Sequence, residues 1–165
     1  MVWRSRGWWW VLAIALVTWF SLTPLALAQD NTVDYTLTDL SFRDFSGQNL
    51  SGTSFAAAEM REANFTGTDL SRTILTKASF LRANLSQADL SGTFADRVIF
   101  DQANLTNVRF TDAILTSSSF REAEVRGADF SGAILDRYQI SQLCQTANGT
   151  NPITGVATRD SLGCR

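Results

Sequence analysis

Ala83-Asn84-Leu85-Ser86-Gln87 runs directly into Ala88-Asp89-Leu90-Ser91-Gly92, so a small residue, an Asn or Asp and a leucine recur after five residues. Stepping outward by fives from Leu85 gives Phe80, Leu75, Leu70, Phe65, Met60, Phe55, Leu50, Phe45 and Leu40 on one side. On the other it gives Leu90, Ala95, Phe100, Leu105, Phe110, Leu115, Phe120, Val125, Phe130 and Leu135. Large apolar residues hold 19 of these 20 positions, and Ala, Ser or Thr holds 16 of the 20 positions two residues earlier. This period matches neither the 3.6 of a helix nor the 2.0 of a strand; on a helix it would spiral around the axis. A chain that turns a corner every five residues satisfies it. Each side then sends one large and one small residue inward, and four sides close a coil. Coils stacked about 4.8 Å apart make residues 40–139 a rod roughly 24 Å long.

Positions twenty apart then lie above one another. The predicted core columns are Leu40/Met60/Phe80/Phe100/Phe120, Phe45/Phe65/Leu85/Leu105/Val125, Leu50/Leu70/Leu90/Phe110/Phe130 and Phe55/Leu75/Ala95/Leu115/Leu135. Their burial, at roughly 25 cal/mol per Å², is the source of stability. Arg43, Gln48, Val98 and Val108 stand at small-residue positions and Ala95 at a large one. The first coil is therefore expected to be irregular and the Ala95 corner underpacked, with Phe94 either turned inward beneath it or facing out.

The motif stands as Ala63-Asn64-Phe65, Ala83-Asn84-Leu85, Ala88-Asp89-Leu90, Ala103-Asn104-Leu105 and Ala128-Asp129-Phe130. It resembles that of the pentapeptide-repeat family, Ala-Asp/Asn-Leu-x-x. The resemblance implies an all-β fold, a right-handed quadrilateral β-helix of about five coils over residues 38–137.

Function would be written on the outward columns. Asn64/Asn84/Asn104 is predicted to be an amide ladder along the axis, and Ser51/Ser71/Ser91/Thr111/Ser131 a solvated one. In Asp69/Asp89/Arg109/Asp129 stacked carboxylates repel; pairing of Asp89 with Arg109 and screening by water is preferred to a cation held between Asp69 and Asp89. Ile74/Phe94/Ile114/Ile134 is apolar yet outside, with Lys77, Arg97 and Arg137 on the same side. That is a candidate interaction face for an acidic, partly apolar protein partner. The alternative is that β-branched residues simply suit an extended outer strand.

Beyond Asp136 the period stops. Asp136 is placed to N-cap a helix through about residue 147, with Ile140, Leu143, Cys144 and Ala147 on one face. Asn148-Gly149 would end it, Pro152 and Gly155 mark turns, and Thr158 would open a last helical turn ending near Gly163. Residues 138–165 thus read as a helical cap over the solenoid end. Closing a disulfide between Cys144 and Cys164 would add about 3 kcal/mol by the chain-entropy model. A thiol–disulfide switch that loosens the cap is the competing role. The stretch 144–164 resembles the tail of pentapeptide-repeat proteins of the thylakoid lumen, which implies a photosynthetic bacterium or a plastid.

At the other end, Arg4 and Arg6 precede an apolar run over residues 8–20, and Leu25-Ala26-Leu27-Ala28 supplies small residues before a cut. Residues 1–28 read as a secretory signal peptide cleaved before Gln29, with an uncleaved anchor as the alternative. Residues 29–37 follow as a short N-terminal linker or cap, and the oligomeric state stays open. Losing Arg4 and Arg6 takes the net charge from −2 to −4.

The chain has no histidine and two cysteines. Ser-His-Asp and Cys-His catalysis, His-based metal sites, Cys₄ zinc and ordinary iron–sulfur ligation are excluded. With a pI near 5.0 there is no basic surface for nucleic acid. We expect no catalytic residues, cofactor or metal, and no membrane contact once the signal is removed. The expected role is a non-enzymatic, exported, rigid protein-binding or scaffold module in the thylakoid lumen or periplasm; the alternative is a redox-responsive regulator using the C-terminal disulfide. Export, modest acidity and outward Lys77, Arg97, Arg121, Arg126 and Arg137 argue against a DNA mimic like the family's gyrase inhibitors.

Overall fold

The computed structural model describes residues 33–165; the signal-peptide assignment to 1–28 lies outside them. Every side of the coil is made the same way. The N–H three residues past a central position donates to the central carbonyl, as from Ala83 to Phe80 at 3.0 Å and Ala88 to Leu85 at 2.9 Å. The intervening corner residue has a φ between +53° and +72° at every fifth position from Leu37 to Gly132. A type II turn demands this of its third residue.

One residue per side is left to pair sideways. Among the described residues seventeen parallel bridges join such residues to the one twenty further on, from Asp34–Ser54 to Ile114–Ile134 without a gap. Between bridges, each central N–H from Tyr35 to Leu115 reaches the coil above, as from Leu70 to the Asp89 carbonyl and Leu90 to the Arg109 carbonyl, both at 2.8 Å. A single bridged residue between turns is too short for a continuous strand. The expected all-β architecture is thus a ladder of isolated bridges, and the regular elements among the described residues are two helices, α1 (Arg137–Thr146) and α2 (Thr158–Ser161).

The columns stack as expected: Leu50, Leu70, Leu90, Phe110 and Phe130 are all buried. Rings lie parallel along the axis, with centroids 5.4 Å apart for Phe80–Phe100, 5.3 Å for Phe100–Phe120 and 5.1 Å for Phe110–Phe130. Rings in adjacent columns meet edge-on. Both geometries suit the aromatic quadrupole.

Three expectations are corrected. Among the described residues the ladder already includes Asp34 and Leu37, so part of 29–37 is coil, with Tyr35 stacked on Phe55 at 5.1 Å. The first coil is regular: Leu40, Phe45 and Leu50 are buried, while Arg43 and Gln48, at small-residue positions, are exposed. At Ala95, Phe94 does not fill the corner; it is 45% exposed on the outer ladder. A hydroxyl compensates instead. Ser118 Oγ donates to the Ala95 carbonyl at 2.6 Å and accepts the Val98 N–H at 2.8 Å, spanning the turn that elsewhere closes directly.

The C-terminal segment caps the last coil. Asp136 and Gln139 form a reciprocal capping box at the start of α1. The buried stripe of α1 is led by Gln139 with Leu143, continuing into Ala147, whereas Ile140 and Cys144 are only half-buried. Gln139 is inside because its Nε2 donates to the carbonyls of Leu115 and Ser118, both at 2.7 Å. Asn151, fully buried, donates to the carbonyls of Gly127 at 2.9 Å and Asn107 at 3.2 Å. The Cys144–Cys164 disulfide ties α1 to the residues after α2.

Candidate interaction surface

Because the central residue of each side points inward, the bridged residue before it points out. On one side that residue is Ile74, Phe94, Ile114 and Ile134 in turn, each bridged to the next. Ile74, Phe94 and Ile134 are 46%, 45% and 55% exposed, and Ile114 is half-buried between them. Three steps of about 4.8 Å give an apolar stripe roughly 14 Å long. Lys77 and Arg97 occupy its corner column and Arg137 opens α1 beside it; all three are exposed. They do not contribute equally. Arg97 Nε donates to Asp96 at 2.7 Å, and the Thr116 hydroxyl donates to the same carboxylate at 2.9 Å. These bonds, Arg97's first, hold the Asp96 carboxyl below its ordinary range. Arg97 is thereby compensated, whereas Lys77 and Arg137 have no ion-pair partner among the described residues.

The other outer columns are structural. Asn64, Asn84 and Asn104 do not form an amide ladder: their Oδ1 atoms accept the N–H two residues on, from Thr66, Ser86 and Thr106 at 3.0–3.1 Å. Of the three, Asn64 alone bonds along the axis, donating to Asp44 at 3.0 Å. The local bond wins because the turn already holds that N–H within reach. Asp69 and Asp89 close the same kind of turn through Ser71 and Ser91, and Asp89 pairs with Arg109 as expected. Among the described residues no group of His, Cys, Asp and Glu is arranged to hold a metal.

One polar cluster was not anticipated. Asp101, nearly buried, accepts from the Ser119 hydroxyl, from the Arg121 N–H at 3.0 Å, and from the Arg121 guanidinium through Nε at 2.8 Å and Nη2 at 2.6 Å. Burial pushes its carboxyl up, but the bonds from Ser119 and Arg121 outweigh it and the pKa is lowered. The position after a central residue is ordinarily solvated; only the twenty-residue spacing of Asp101 and Arg121 signals the pair.

The repeat geometry has a counterpart among known proteins. A family model for pentapeptide repeats, matched in eight copies, covers residues 38–76, 63–102, 78–116 and 99–137. This chain is a pentapeptide-repeat protein. Members of the family form right-handed quadrilateral β-helices, and the bridges and turns described above are that fold. Among solved pentapeptide-repeat structures, one from the Arabidopsis thaliana thylakoid lumen is 39% identical, over 79% of this chain and 91% of that one, with a TM-score of 0.64. HetL, from the cyanobacterium Nostoc, is 23% identical over 62% of this chain and 61% of that one, at a TM-score of 0.38. The fluoroquinolone resistance protein QnrB1 is 24% identical over 66% and 65%, at 0.47. A comparison with curated proteins gave no match. Among the described residues no helix is long and apolar enough to cross a membrane.

Proposed function

We propose that this pentapeptide-repeat protein is a non-enzymatic, rigid protein-binding module exported to a thylakoid lumen or periplasm, and that it binds through the column Ile74/Phe94/Ile114/Ile134. The observation that carries the proposal is that column: four apolar residues on consecutive coils of a rigid rod, facing solvent where the neighbouring columns are polar or charged except at the single Ile99. Its partner is an apolar protein surface with an acidic rim, because Lys77 and Arg137 beside the stripe have no ion-pair partner among the described residues. The 39% likeness to a lumenal protein supports the compartment.

Affinity capture from the native compartment tests this. Phe94→Asp with Ile114→Asp should keep the circular-dichroism spectrum and lose a partner that a control substitution at exposed Glu59 retains; equal capture by both variants overturns the reading. Export is tested by the mature N-terminus, expected at Gln29. A second reading rests on the disulfide. Cys144 and Cys164 tie together the segments that cover the last coil, so reduction would loosen the cap. Partner capture that changes on reduction favours that regulator; unchanged capture favours the scaffold.

A further inference from the structure

The cap closes the upper edge of the last coil unevenly. In the ladder, Phe100 N–H meets the Ser119 carbonyl and Gln102 N–H the Arg121 carbonyl, both at 2.8 Å. One coil higher the same two donors are Phe120 and Glu122, and neither has an acceptor among the described residues. On each of the next two sides the tail supplies one stand-in, the Asn148 carbonyl for Gly127 N–H at 2.8 Å and Ser161 Oγ for Phe130 N–H at 3.0 Å, so the Phe120 side alone of the three has both donors open. Beside the two open donors lies a groove of about 650 Å³, bounded by residues 117–123 and by α1. That volume is typical of ligand sites. Its floor is Phe120, the half-buried end of the aromatic column. Its wall includes Leu143 and the exposed amides of Gln142 and Gln145, which have no partner among the described residues.

The geometry points to a site for an extended, uncharged polypeptide segment of a partner protein, added in the register of the missing coil. The two donors are two residues apart on one side, so they take two carbonyls of a single extended stretch, as each lower side takes them from the coil above. An apolar side chain between those carbonyls settles on Phe120 and Leu143, and the glutamines bond the outer backbone edge. At the rim Arg121 is paired with Asp101, while Glu122 accepts from the neutral Gln102 at 2.8 Å and keeps its negative charge. The rim therefore disfavours an acidic segment and offers no free cation to hold one. A complete coil of a second copy does not fit, because α1 and the residues after it occupy the adjoining sides. This site is separate from the Ile74 column and stands or falls without it.

The test titrates the ¹⁵N-labelled mature protein with a terminally capped hexapeptide, Ala-Asn-Leu-Ser-Gln-Ala, which copies residues 83–88. Saturable shifts are expected at the Phe120 and Glu122 amides, with at least about 10-fold slower hydrogen exchange there. Replacing exposed Gln142 and Gln145 by Glu should weaken binding by about 10-fold, or about 1.4 kcal/mol, while leaving the coil spectrum unchanged. Absence of saturation by millimolar peptide overturns the proposal, as do shifts confined to the Ile74–Ile134 side or unaltered binding by the glutamate variant. Concentration-dependent shifts at Phe120 without peptide would assign the groove to a second copy instead, and also overturn it.

Discussion

At the scale of single residues, the coil is bought with backbone strain. Fourteen of the twenty corners from residue 37 to 132 place a non-glycine residue at positive φ, a conformation that costs an L-residue roughly 1–2 kcal/mol. Glycine separates this cost from packing. At Gly52 a Cβ would meet open space, so Gly52→Ala should lose about 1 kcal/mol from conformation alone. At Gly127 the same Cβ would lie 2.0 Å from the Asn107 side chain and 3.2 Å from the Thr150 carbonyl. Gly127→Ala should therefore cost about 2–3 kcal/mol in urea unfolding, clearly more than Gly52→Ala. Charged residues add a pH signature. Asp34, Asp39, Asp44, Asp96, Asp101 and Asp129 all have lowered pKa values. The first three owe it chiefly to bonds from Thr36, Ser41 and Ser46. At Asp129, as at Asp101, burial pushes up but hydrogen bonds, from Ser131 first, prevail. Groups with lowered folded pKa values stabilise fully above the unfolded value near 4 and lose that stabilisation as pH falls through the folded values. The melting temperature should thus hold between pH 5 and 7 and fall below about pH 4. Asp101→Asn should lose about 1–2 kcal/mol at pH 7 and show a shallower acid fall.

The elements divide into those that repeat and those that end the repeat. A coil side needs only its own five residues and their copies twenty away, which is why the columns, α1 with its Asp136 cap, and the turn at Thr158 were legible without coordinates. The polar plugs were not. Gln139 shares a helix face with Leu143, but its polar side chain reads as solvated; it is buried because carbonyls of the last coil have no coil above them. Asn151 lies in a loop and reaches carbonyls more than twenty residues away. Such residues answer the geometry of a particular end, and no spacing announces them. Asp136→Ala should cost about 1 kcal/mol as a lost cap. Gln139→Leu should cost more, about 2–3 kcal/mol by thermal unfolding, because it strands the buried Ser118 carbonyl and leaves the Leu115 carbonyl with its turn bond alone. If the two variants melt together, the plug adds nothing beyond the helix it belongs to.

For the whole molecule, stability is spread along one axis, each coil touching its neighbours only. Truncation in the middle should therefore cut deepest. Leu90→Ala, with a described coil on each side and fully buried, is expected to lose about 3–5 kcal/mol, and Leu40→Ala, 3% exposed in the first described coil, less in the same urea titration. The outer stripe was equally visible as a column, but its composition alone left Phe94 free to turn in or out and left Arg97 counted as a free cation. What the amino-acid order by itself determined was the coil: its twenty-residue repeat, its inward columns and the place where it stops. Those follow from a local demand, a corner every fifth residue with an apolar side chain behind it, repeated until no other packing competes. Only the tertiary structure decided how the ends are closed, which charges are already paired and which way Phe94 faces. Each of these depends on which atoms of distant segments come within hydrogen-bonding reach once the rod is built.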